Sequence, residues 1–181
     1  MPFSSTTFAR SRRAAAGAIA AALLMGAATA APAGAGSTTP ATDAICTNVI
    51  TLYIAPGFSM RPGSGTVTSR GETGTLLCAG RLHGHEIIGS GTFAVDETYT
   101  QATCLSDRSV GRVSATIPTT AGAVQISGAL TGRRLGLVEV IEIAFPKARF
   151  HATGAVLPTL GDCLVTPVTR ALVSVTGTLR G

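Results

Sequence analysis

From Ala44 to the C-terminus, apolar side chains recur at every second position. That is the period of a strand with one buried face, not the 3.6-residue period of a helix. Val124, Ile126 and Leu130 alternate with Gln125, Ser127 and Thr131; Val173, Val175 and Leu179 alternate with Leu172, Ser174, Thr176 and Thr178. Residues 112–117 alternate as cleanly, up to Pro118. The pattern predicts eight or nine strands: 44–54, 64–70, 74–82, 87–97, 102–117, 122–131, 137–143, 148–157 and 163–179. Pro167, which has no N–H for a ladder, interrupts the last. Pro62-Gly63, Gly71, Gly84, Gly122, Gly132, Gly136, Pro146 and Gly161-Asp162 supply the turns. No segment beyond residue 33 has the capped apolar stripe of a helix.

A glycine-led triplet recurs inside these strands: Gly65-Thr66-Val67, Gly74-Thr75-Leu76, Gly91-Thr92-Phe93, Gly128-Ala129-Leu130, Gly154-Ala155-Val156 and Gly177-Thr178-Leu179. The spacing is too irregular for a solenoid. It fits strands that need a small residue where a sheet bends sharply or two backbones approach. The predicted fold class is therefore all-β: an antiparallel small β-barrel of about eight strands. A two-sheet β-sandwich is the alternative.

The first 30 residues stand apart from this pattern. Arg10, Arg12 and Arg13 precede an apolar run rich in Ala, and Ala28-Thr29-Ala30 supplies the small residues a signal peptidase reads. Residues 1–30 are expected to be a secretory signal peptide, 31–42 a flexible Ala/Pro/Gly/Ser/Thr linker, and 43–181 a single β domain. The expected location is secreted, extracellular or at the cell envelope. Charge then changes meaning. The chain of 181 residues carries +5, but beyond residue 30 eleven Lys/Arg face nine Asp/Glu, leaving +2. With no basic run longer than Arg133-Arg134, nucleic-acid binding is not expected. No stretch beyond the signal is apolar for long enough to form a transmembrane helix.

Cys46, Cys78, Cys104 and Cys163 all lie in the β domain. In an exported chain an even number implies two disulfides, with three possible pairings, and the spacings match no metal or redox motif. Cys46 shares a face with Ile50 and Leu52, and Cys78 with Leu76 and Leu82. Counting strands as a simple meander puts Cys46, Cys104 and Cys163 at one end of the barrel. Cys46–Cys78 with Cys104–Cys163 is the preferred pairing.

On GTLLCAG (74–80), GSGTF (89–93) and PTLGDCLVTPVTR (158–170), the domain resembles secreted Gly-rich β proteins of high-GC actinobacteria. That resemblance implies export and a scaffold type but no activity. The small-barrel plan is similar to calycin-like barrels, although the absence of Trp removes the lipocalin and avidin ligand signatures.

Candidate chemistry is sparse. His83, His85 and Glu86, with His151, could form a metal site, but 83–86 falls where a hairpin tip is expected, so no metal, catalytic residue or cofactor is assigned. Glu139 and Glu142 are three apart, hence on opposite faces of a strand. One of them could enter the barrel as an acid, base or ligand anchor; an exposed position or an ion pair with Arg133 or Arg134 is the plainer fate. Tyr53 and Tyr99 are expected to pack in the wall or to offer a polar handle to a pocket. The mature chain has no nucleophile elbow, zinc-protease helix or P-loop.

The expected function is non-enzymatic: binding of a small apolar ligand, or docking to an envelope component. One alternative is a barrel enzyme of cyclase or isomerase type, marked by polar groups converging on a cavity. Another is an inhibitor or interaction protein, marked by a filled interior and an apolar loop, for which residues 55–62 with Phe58 and Met60 are the candidate.

Overall fold

In the computed structural model, which describes residues 41–181, one antiparallel sheet contains every strand. The signal peptide and linker expected over 1–40 lie outside the described residues. Ala41 and Thr42 already belong to the domain. The Thr42 N–H and C=O pair with Gly181, and Thr42 Oγ1 accepts from the His83 N–H.

The strands are β1 (Asp43–Phe58), β2 (Gly63–Thr68), β3 (Gly74–Leu82), β4 (His85–Glu86), β5 (Ser90–Ala102), β6 (Ser106–Thr119), β7 (Gly122–Leu135), β8 (Val138–Phe145), β9 (Ala148–Leu160) and β10 (Val168–Arg180). From β5 to β10 each strand pairs with the next, and β10 pairs with β1 from Asp43↔Arg180 to Phe58↔Val168. Between β1 and β5 one position is shared by two half-length strands. β3 fills it beside 43–49 of β1, and β2 fills it beside 53–55. The sheet thus closes into a barrel-like ring of eight positions, which removes the open edges that invite association.

Alternation decides which side chains fill the ring. Ile50, Leu52 and Ile54 of β1, Phe93 and Val95 of β5, Val113, Ala115 and Ile117 of β6 and Val173, Val175 and Leu179 of β10 all point inward and are buried. The recurrent glycines allow strands to approach. A Cβ on Gly154 would collide with the Ser174 carbonyl and one on Gly177 with the His151 carbonyl, so those positions accept no side chain.

The sharing of one position by β2 and β3 corrects the strand count. Both run antiparallel to β1, so counting them as successive hairpin legs inverts every direction across them. Cys46 therefore lies at the opposite end of the ring from Cys104 and Cys163. Cys46 and Cys78 are directly paired on β1 and β3, with Cα atoms 4.0 Å apart, and the Cα atoms of Cys104 and Cys163 are 6.1 Å apart. Each end of the ring has its own staple. Such cysteine pairs are compatible with an oxidising extracellular environment. Among the described residues no helix is long and apolar enough to cross a membrane.

Candidate functional site

At the end of the ring stapled by Cys104–Cys163, charged side chains enter the interior from β5 to β8, while β1, β2, β9 and β10 keep it apolar. A group of apolar side chains is exposed on the outer rim there; Ile45, Val49 and Leu77 are exposed nearer the other end.

Inside, the positions that bury aliphatics lower down carry charge. On β5 the inward series Phe93, Val95 continues to Glu97 and Tyr99. On β6, β7 and β8 the inward positions nearest this end are Asp107 and Ser109, Arg134, and Glu139. Arg134 and Asp107 form a buried ion pair, Nε donating to Oδ2 at 2.6 Å with side chains 5% and 6% exposed. The guanidinium also donates to the carbonyls of Cys104 (2.6 Å), Thr103 (2.7 Å) and Gly136 (3.1 Å). Its plane lies over Phe58, 4.6 Å from the ring centroid. Phe58 in turn packs against Tyr99, with centroids 4.8 Å apart. These three side chains plug the mouth.

Beneath the plug lie Glu97 and Glu139, both buried, and neither forms an ion pair with a described residue. Burial is the main reason the Glu97 carboxyl is raised from 4.5 to about 7, with Asp107 and Asp96 adding to it. Burial also raises Glu139, to about 8; the negative charges of Glu97 and Asp107 add, and Arg134 opposes only weakly. The Ser109 hydroxyl lies close enough to Glu97 to favour its anion, yet Ser109 Oγ completes no hydrogen bond. Asn48 Oδ1 on β1 is likewise buried without a partner.

The interior is otherwise filled. Voids of about 20, 30 and 30 Å³ succeed one another along it, and Glu97 and Glu139 line the first two. Each is the size of a water molecule, far below the few hundred Å³ that a small organic ligand requires.

Outside, Leu135 and Val138 face each other across the β7–β8 hairpin, with Leu105 and Leu137 beside them and Leu157 and Leu160 on β9; all are exposed. Two residues further from the rim, Arg108, Arg133 and Val140 form the next row across β6, β7 and β8. The 161–167 loop displays Leu164 and Val165, each 84% exposed. That loop is fixed. Asp162 Oδ1 accepts from the N–H groups of Leu164 (3.0 Å), Val165 (2.9 Å) and Thr166 (2.9 Å), which holds its carboxyl below its ordinary range, and Cys163 is stapled to Cys104.

Several expected residues are placed elsewhere. His83 and Gly84, both at positive φ, form the tip of the β3–β4 hairpin, and His85 is exposed beyond it. His151 does not join them; its Nδ1 lies 3.5 Å from Glu142 on the outer face. Glu142 is thus the outward carboxylate and Glu139 the inward one, as their odd separation requires. Arg134 opposes Glu139 on the ladder but spends its donors on Asp107 and the mouth carbonyls. Tyr99 is buried, with its hydroxyl donating to the Ala55 carbonyl (3.3 Å). Tyr53 is neither wall nor pocket. The parity that buries Leu52 and Ile54 turns it outward, where it lies under Arg70 and donates to Glu72 Oε1 (2.9 Å). The 55–62 segment is not an apolar loop. The register of β1 slips between Tyr53 and Phe58, and the bulge sends Phe58 into the mouth, 6% exposed, while Met60 remains outside.

Glu97, Asp107, Ser109 and Asn48 belong to no motif in the sequence. Their signal is parity: each occupies the inward phase of a strand whose other inward residues are apolar. No protein-family model matches the chain, and no curated protein or solved structure matches it either.

Proposed function

We propose that the protein is an exported, non-enzymatic docking module that attaches to an anionic lipid layer of the envelope through its Cys104–Cys163 end. The observation that carries this reading is the 161–167 loop. Two aliphatic side chains, each 84% exposed, sit on a loop that a carboxylate and a disulfide hold in one conformation, so their exposure does not come from slack. Burying both in an apolar phase would contribute about 3–5 kcal/mol, and little ordering entropy opposes it because the loop is already fixed.

Charge complementarity selects the phase. Arg108 and Arg133 oppose each other directly on neighbouring strands, an arrangement that disfavours the sheet in water. They lie one outward row, roughly 7 Å, behind the rim. With the rim leucines among acyl chains, these two arginines would reach the headgroups. Arg61 adds a third exposed cation beside the mouth, where the Ser59 carbonyl accepts from the Cys104 N–H. The apolar-ended signal segment and the two cysteine pairs support export.

A cyclase- or isomerase-type enzyme is the second reading, favoured by the raised acids Glu97 and Glu139. A void of about 20 Å³ admits no substrate, however, unless Phe58 and Arg134 both leave the mouth. Carriage of a small apolar ligand meets the same obstacle.

Vesicle flotation tests the docking reading. The mature protein is expected to float with vesicles of phosphatidylglycerol and phosphatidylcholine, and the L164D/V165D variant to stay behind with unchanged thermal stability. Failure of the parent protein to float with anionic vesicles, or flotation with purely neutral vesicles as strong as with anionic ones, would contradict it.

A further inference from the structure

Independently of docking, the interior under the plug has the make-up of an ion site. Ser109 and Gly132 are direct partners on β6 and β7. Residue 132 has no side chain: a Cβ there would collide with the Ser109 hydroxyl, and Glu139 Oε1 and Glu97 Oε2 lie 3.4 Å and 3.8 Å from where that Cβ would stand. Oxygens from three strands thus converge on one notch. The carboxylate oxygens only accept when ionised, and the one donor the notch itself holds is the Ser109 hydroxyl, which favours the Glu97 anion. The nearest strong donor, Arg134, is turned away to Asp107 and the mouth carbonyls. Ser109 Oγ, in a residue 6% exposed, finds no partner, and Asn48 Oδ1 in the adjoining void finds none either. Two buried carboxyls served by a single hydroxyl are costly to ionise unless a cation compensates them.

We propose that Glu97, Glu139 and Ser109 form a buried site for a single divalent cation of the calcium class. The donor set is all oxygen, which suits a hard cation and not zinc or copper. Two carboxylates neutralise a double charge, and if each binds through both oxygens they supply four of the six to eight ligands calcium takes. Ser109 Oγ extends the shell, and the adjoining void of about 30 Å³ has room for one coordinating water. Magnesium dehydrates reluctantly and usually keeps several waters, for which a water-sized void has no room. The void is the size of one water, so one ion fits and an organic cation does not. The ion must displace the protons of both acids, so binding strengthens as pH rises. The other titratable groups lining these voids are Tyr99 on β5, Asp107 on β6 and Arg134 on β7, with Asp96 next to Glu97; the residues that β1, β2, β9 and β10 contribute, Asn48 among them, do not titrate.

The mature protein, disulfides intact and stripped with chelator, is dialysed against CaCl2 or MgCl2 at pH 8.5 and pH 5.5, and bound metal is counted by mass spectrometry. The expected result is one calcium per chain at pH 8.5, at least tenfold less at pH 5.5, and a melting temperature that climbs with each tenfold increase in CaCl2. The E97Q/E139Q variant should lose both the calcium and the climb. No calcium retained at pH 8.5, equal retention at the two pH values, or magnesium held as well as calcium would each overturn the proposal. None of these readings depends on the variant folding.

Discussion

Raising the pH in the presence of chelator should destabilise this protein through two side chains. Glu97 and Glu139 have folded values of about 7 and about 8, against 4.5 for an unperturbed glutamate. Both shifts are upward, so below pH 4.5 both states carry the protons and the folded state keeps its full stability. Between pH 4.5 and 7 the unfolded chain has released protons that the folded chain still holds. Stability then falls by about 1.4 kcal/mol per pH unit for each acid. Glu97 ceases to contribute to the slope above about 7 and Glu139 above about 8. Taken alone, Glu97 would account for a loss of about 3 kcal/mol. Glu139 would account for more, but the charge of Glu97 is one of the causes of its shift, so the two are a coupled titration and do not add. A total of several kcal/mol is a large share of the 5–15 kcal/mol typical of a domain. Urea midpoints measured from pH 5 to 9 should fall up to about pH 8 and then level off. E97Q/E139Q should hold its midpoint across the range. A parent protein with a flat profile, or a variant that falls as steeply, would refute the buried, unpaired state of these acids.

Two substitutions probe the neighbouring structure. Arg134→Met strands Asp107 as an uncompensated buried charge beneath three carbonyls that lose their donor, and should cost about 3–5 kcal/mol in urea unfolding; adding Asp107→Asn should recover part of it. Gly132→Ala drives a Cβ into the Ser109 hydroxyl and should cost about 1–3 kcal/mol, and Ser109→Gly in the same chain should restore most of the loss.

The fold was legible because alternation is a local property. Val173, Val175 and Leu179 reveal their face without any partner strand, and the triplet glycines announce close approach before the approaching backbone is known. The order of strands around the ring was less so. Whether β2 and β3 occupy two positions or share one depends on their lengths relative to β1, and nothing within either segment records that. The site was hidden by a habit of reading. A charged residue in a strand is ordinarily taken as solvated, so Glu97 passes unnoticed although Phe93, Val95 and Tyr99 fix its phase inward. Its meaning depends on Ser109 and Glu139, which approach it from strands 12 and 42 residues further along the chain. The apolar rim was legible only as a residue of the same rule: once Glu139 is placed inside, Val138 and Val140 must be outside.

The lipid-facing role of the 161–167 loop can be read directly from one fluorophore. The chain contains no Trp, so L164W carries a single reporter at the loop tip, where the side chain is 84% exposed. Emission should resemble that of indole in water in buffer and with neutral vesicles, then shift to the blue and become shielded from aqueous quenchers when phosphatidylglycerol vesicles are added. An emission maximum and quenching that stay unchanged with anionic vesicles would contradict docking through this end.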